Sequence, residues 1–310
     1  SQPSNYRIMP PMLRNWTRIL LGAWLVARLA LTHAASPEET RAYDTSLKLF
    51  HDGLFELAER ECAGFTATYT NSERLPDIVL VQVQARLRLK RPDDAIALLN
   101  QRTNLVAAKP DEFAFWRAEA VLDKGDAAGA GAAFGQFLGA FPQSPRRLEA
   151  AYRQAFVLHQ LGQLDQAIAL LRNADSPFVQ AATPHPEAEL AVRGRLLLAE
   201  ILIGRGDFAG AEQASMAAGN PATPDLVWQR DYLLARAKNG LGQFAEAYNR
   251  TTNFWNATPA VIQREVRAAA LLLQAGLLEK LGQVDPALQL YERMLTEDVP
   301  AGQRPVALRQ

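Results

Sequence analysis

Gly242-Gln-Phe-Ala-Glu-Ala247 is the run on which the fold turns. Glycine lacks a Cβ and so reaches the left-handed backbone that stops a helix. Phe244 then offers an apolar anchor, and Ala247 is small where a second helix is getting under way. The same five-residue step recurs at Gly53/Ala58, Gly125/Ala130, Gly162/Ala167, Gly206/Ala211 and Gly282/Ala287, and once with lysine in first place, at Lys90/Ala95. Successive first members stand 37, 35, 37, 44, 36 and 40 residues apart, the period of stacked helix pairs. Seven residues ahead of each turn stand Ser46, Val83, Ala118, Ala155, Ala199, Ala235 and Ala275, six of them small. Two helices can approach closely where side chains are missing, while neighbouring Leu, Ile and Phe interdigitate.

Two positions past the turn residue come Phe55, Pro92, Ala127, Leu164, Phe208, Phe244 and Val284. The combination resembles the tetratricopeptide repeat, in which a small residue in helix A, a Gly-x-hydrophobic turn and an Ala early in helix B recur about every 34 residues. The likeness spans roughly residues 39–298, with degenerate copies: only the sixth keeps a Trp near the start of helix A (Trp228), and Lys90 replaces the second turn glycine. It implies an all-α chain, a right-handed α-solenoid of about seven antiparallel helix hairpins forming a TPR-like superhelix.

The predicted hairpins pair 39–52 with 54–68, 77–89 with 93–101, a helix opening at Pro110 with 126–141, 146–161 with 163–172, 187–205 with 207–218, 225–240 with 243–255, and 260–281 with 284–296. The segment 173–186, with three prolines, reads as a longer connection that accounts for the 44-residue spacing. Prolines 110, 221, 224 and 259 sit at or just ahead of helix starts, where a missing N–H costs little.

The 310 residues carry no net charge and are 48% hydrophobic. Residues 1–35 hold Arg7, Arg14, Arg18 and Arg28 and no acid, which leaves the rest with 29 basic against 33 acidic residues and no basic stripe for nucleic acid. The apolar run 19–31, preceded by Arg14 and Arg18, reads as a signal peptide cleaved near Ala35. As a helix it would span about 20 Å against a hydrocarbon core of about 30 Å, so a permanent span is the weaker reading and a buried helix of the array the other. Met9 or Met12 could start the chain, making the residues before them upstream read-through. The expected organisation is therefore 1–35 signal peptide, 36–298 repeat array, and 299–310 the start of a further repeat or a truncated tail. The location expected is exported, periplasmic or cell-envelope.

Cys62, the sole cysteine, is read as a small buried hydrophobe. Asn249-Arg-Thr and Asn256-Ala-Thr match glycosylation sequons, which also arise by chance. The four histidines, 33, 51, 159 and 185, have no ligand-like spacing, and phosphate-binding, dinucleotide and nucleophile-elbow motifs are absent from the sequence. No cofactor, metal or catalytic residue is expected.

The family presents helix A positions 2, 5, 9, 12 and 13 on its concave side. Position 5, ten residues before the turn, is aromatic in four repeats: Tyr43, Phe115, Tyr152 and Tyr232. Position 9 adds Gln84, Glu119, Phe156, Glu200 and Arg236, and position 13 adds His51, Arg88, Asp123 and Gln160. The candidate partner-binding set is Tyr43, Phe115, Tyr152, Phe156, Tyr232 and Arg236, the alternative for each ring being core between repeats. The resemblance implies a non-enzymatic scaffold that binds a peptide or partner protein in its groove. The alternatives are a glycan or cell-wall module, for which Tyr152 with Phe156 is the candidate platform, or the repeat region of a larger envelope enzyme or secretion component.

Overall fold

The computed structural model describes residues 35–252 and 264–296, and every regular element among them is helical. Fifteen α-helices follow in order: α1 (Pro37–His51), α2 (Phe55–Thr68), α3 (Leu75–Arg88), α4 (Pro92–Gln101), α5 (Pro110–Asp123), α6 (Ala127–Ala140), α7 (Arg147–Gln160), α8 (Leu164–Arg172), α9 (Pro177–Ala182), α10 (Glu189–Gly204), α11 (Phe208–Ala217), α12 (Pro224–Gly240), α13 (Phe244–Thr251), α14 (Arg264–Lys280) and α15 (Val284–Thr296). A 3-10 helix (Thr103–Ala108) follows α4. All but α9 fall into the seven expected hairpins, and within each compact unit a hairpin packs on the first helix of the next. The chain divides into two compact units, one ending at Ala108 and the other starting at Lys109.

The seven turn residues all take positive φ, from +90° at Gly125 down to +59° at Lys90. Each turn closes by the same pair of backbone bonds. The turn residue donates to the carbonyl three back, as Gly242 does to Asn239 (3.1 Å). The following N–H reaches five back, as Gln243 does to Lys238 (2.9 Å) and Arg91 to Arg86 (2.9 Å). This double closure satisfies carbonyls that the helix end would otherwise leave open. Asp126 and Asp207 then cap the next helix by accepting from the N–H groups of Gly129 (2.8 Å) and Gly210 (2.9 Å).

Behind the turns, the small residues are sealed. Ser46, Val83, Ala118, Ala155, Ala199, Ala235 and Ala275 on the first helices, and Ala58, Ala95, Ala130, Ala167, Ala211, Ala247 and Ala287 on the second, are at most 1% exposed. In the first unit Cys62, Phe65, Leu75, Ile78 and Val81 form a core lined by Tyr43, Phe50 and Leu105. In the second a continuous core runs from Phe115 to Ala237.

The connection 173–186 is not all loop. Ser176 accepts from the Val179 N–H (3.2 Å) and opens α9, with Pro177 in its first turn. Phe178 is buried against Gly194 of α10, where a Cβ would overlap its ring. The long spacing therefore houses an extra helical turn wedged against α7, α8 and α10.

Lys90 holds a backbone conformation that costs a residue with a Cβ about 1 kcal/mol. Lys90→Gly should raise stability by about that amount, and Gly162→Ala should lower it by about 1 kcal/mol or more. Denaturant midpoints at unchanged slope will read both.

Candidate functional site

In the second unit the first helices of successive hairpins lie side by side, α7 against α10 and α10 against α12. Their positions 5 and 9 therefore share one wall. On α7, Tyr152 and Phe156 stand one helical turn apart, both half-buried and resting on the core. On α12, Tyr232 is half-buried and stacks on Trp228, with ring centres 5.2 Å apart and planes at 16°. The Arg236 guanidinium lies 5.6 Å from the centre of the Tyr232 ring. Burial pushes the Tyr232 phenol above its ordinary range, Arg236 pulls it down, and the Glu200 carboxylate on α10 adds to the rise. Tyr232, Arg236 and Glu200 thus form one cluster shared by two helices.

The other predicted residues part company with this wall. Phe115 is fully buried, its ring edge-on to Trp116, Phe134 and Phe137 at 5.4, 6.0 and 5.9 Å. The Arg146 guanidinium sits 4.9 Å from that ring's centre on a further side. Phe115 is therefore a core residue and not a groove residue, because α6 and the loop before α7 close over it. Tyr43 belongs to the first unit, half-buried between Phe65 (6.3 Å, edge-on) and the Arg74 guanidinium (4.7 Å).

Two features escape a reading of positions alone. Glu119 on α5 is mostly buried, with its Oε1 2.8 Å from Arg153 Nε, although the two are not aligned for a hydrogen bond. Burial raises its carboxyl above the ordinary range, Arg153 opposes this, and Glu149 and Asp123 add to it. Second, Lys238 is nearly sealed between Glu212 of α11 (2.9 Å) and Glu246 of α13 (2.6 Å). Its ammonium is held above its usual range chiefly by the bonds to Glu246 and Glu212. Glu119 and Arg153 stand 34 residues apart, at positions 9 of one first helix and 6 of the next, whereas Glu212 reaches Lys238 from the preceding hairpin and Glu246 from the same one.

Cys62 is fully buried, and burial pushes its thiol up to about 12, as befits an inert core residue. The Asn249 sequon lies within α13, where the buried Thr251 hydroxyl donates to the Tyr248 carbonyl (2.7 Å). The Asn256 sequon, the signal-like segment 1–34 and the tail 299–310 lie outside the described residues. Among the described residues no three His, Cys, Asp or Glu side chains gather as a metal needs, and no helix is long and apolar enough to cross a membrane.

A phenol whose folded pKa exceeds 10 keeps a proton that the unfolded chain releases, so its contribution to stability fades as pH climbs above 10. In a phenolate absorbance titration Tyr232 and Tyr291, the latter pushed to about 12 chiefly by burial, should ionise late. Tyr232→Phe should remove one of the late-titrating groups.

Residues 269–298, which overlap the last described hairpin, match the tetratricopeptide repeat family by sequence. No curated protein matches the chain. A tetratricopeptide repeat protein from Parabacteroides merdae ATCC 43184 is similar in structure over 88% of this chain and 98% of its own, at 12% identity and TM-score 0.52. PilW, a widely conserved type IV pilus biogenesis factor, is similar over 76% of this chain and all of its own, at 18% identity and TM-score 0.56. The apo form of RapI is similar over 82% of this chain and 75% of its own, at 12% identity and TM-score 0.62. At these identities the likeness concerns the fold. The chain thus has the fold of tetratricopeptide-repeat proteins, and residues 269–298 carry that family's sequence pattern as well.

Proposed function

We propose that this protein is a non-enzymatic scaffold of the cell envelope, which holds a peptide segment of a partner protein on the wall formed by α7, α10 and α12. The observation that carries the reading is the row of half-buried Tyr152, Phe156 and Tyr232 beside Arg236 and Glu200, on helices packed directly against one another. Half-buried rings supply contact area at low entropic cost, and the flanking charges orient what binds. The rings also stand on rigid helices, so little ordering is required on binding.

A sugar-binding platform needs two exposed coplanar rings. The coplanar pair here is Trp228 with Tyr232, and Trp228 is 6% exposed, which favours the peptide reading. The envelope part of the proposal rests on Arg14, Arg18 and the apolar run 19–31, and on the shared fold with a pilus biogenesis factor.

Peptides selected by display against residues 36–310 should lose about tenfold or more in affinity on Tyr152→Ala or Tyr232→Ala, with the unfolding midpoint little moved. Affinity indifferent to both changes would remove the proposal. Expression with the native leader in a bacterial host should yield a mature chain beginning near Ser36 by N-terminal sequencing.

A further inference from the structure

Residues 37–102 and 109–174 repeat one another at an offset of 72. Asp93-Asp-Ala-Ile-Ala-Leu-Leu99 returns as Asp165-Gln-Ala-Ile-Ala-Leu-Leu171, Ser72-Glu-Arg74 as Ser144-Pro-Arg146, and Phe65 as Phe137. The match extends to side-chain contacts. In the first copy Ser72 Oγ donates to Glu39 Oε1 (2.5 Å) and accepts from the Arg74 backbone N–H (3.0 Å). The Arg74 guanidinium covers Tyr43 at 4.7 Å, Tyr43 meets Phe65 at 6.3 Å, and Phe65 meets Tyr69 at 4.9 Å. In the second copy Ser144 Oγ donates to Asp111 Oδ2 (2.7 Å) and accepts from the Arg146 N–H (3.1 Å). Arg146 covers Phe115 at 4.9 Å, Phe115 meets Phe137 at 5.9 Å, and Phe137 meets Phe141 at 5.4 Å. Every partner in one copy is 72 residues from its counterpart, and the boundary between the compact units falls at Ala108, between the copies.

We infer that α1–α4 and α5–α8 are two copies of one double-hairpin module, each shut by the same clasp, and that the clasp withdraws Tyr43 and Phe115 from partner binding. The clasp consists of an acid in the first turn of helix A, the serine and arginine of the loop after helix B, and the position-5 ring that the arginine covers. It ties the loop before one hairpin to the start of the previous one, so each module closes as a unit. Both clasp arginines are the N-cap of the next hairpin's first helix, and at the corresponding place before α10, the first helix of the hairpin after that of Tyr152, stands Ala188, which supplies no guanidinium. The two clasps differ in strength. Arg146 is ion-paired with Glu112 (3.1 Å) and Glu149 (2.9 Å), whereas Thr40 replaces Glu112 in the first copy and Arg74 Nη1 is buried without a hydrogen-bond partner. The withdrawal of the two rings rests on the proposed binding wall; the modules and their clasps do not.

Hydrogen exchange on the 36–310 chain tests the modules. Arg146→Ala should speed exchange in 110–123 and 141–150 by about tenfold or more and leave 37–78 unchanged, and Arg74→Ala should do the converse by a smaller factor. Ser144→Ala should add little once Arg146 is gone. Arg146→Lys and Arg74→Lys, which keep the charge but lose the planar stack, give the same local pattern if either alanine variant fails to fold. Acceleration spread evenly over both copies, or none near the altered arginine, overturns the modules. Separately, a display-selected peptide should bind Phe115→Leu as tightly as wild type; loss of affinity there overturns the withdrawal of the rings while leaving the exchange result intact.

Discussion

Everything in this molecule hangs on a close crossing of two helices behind a left-handed turn. The turn residue must hold positive φ, and the residues seven before and five after it must be small enough to be sealed between helices. Once those three places are fixed, each hairpin has one way to fold back, and its larger apolar side chains have only the neighbouring hairpin to pack on. The constraint is steric, so it tolerates wide change elsewhere. That explains how Lys90 can occupy a turn at φ +59° without loss of the hairpin.

Between hairpins the same positions are tied by charge. Glu59 on α2 pairs with Arg86 on α3 (2.9 Å), and Glu212 on α11 with Lys238 on α12 (2.9 Å), in equivalent places of different repeats. Fully exposed pairs are worth at most about 1 kcal/mol, but the side chains of these two pairs are each less than a quarter exposed. Partly sealed pairs act differently: a hairpin that slipped in register would strand a buried charge, so they penalise the wrong stacking more than they reward the right one.

The turns were legible in the sequence because their cause is local: a Gly, an apolar residue two places on and an Ala three beyond that. Helix α9 was harder to see, since three prolines in 173–186 read as loop, although Asp175-Ser-Pro177 is a good helix start: a capping serine followed by a first-turn proline. Where the candidate residues lie was legible in part. Position counting placed Tyr152 and Phe156 on α7 and Tyr232 and Arg236 on α12 as half-buried residues, because position follows from the repeat; it says nothing of what they bind. It misplaced Phe115, because its burial depends on Phe134, Phe137 and Arg146, which arrive from other elements. Glu119 with Arg153 escaped for the same reason, a contact made by two hairpins rather than one.

The most direct measurement of the central constraint is the stability of the third hairpin on enlarging its crossing residues. Ala118→Leu and Ala130→Leu, both at sealed positions, should each lower the unfolding free energy by about 1–3 kcal/mol, while Ala132→Leu on an exposed face of α6 should change it by less than about 0.5 kcal/mol. Equal and small effects at all three positions would contradict the claim that small residues at the crossing fix the hairpin.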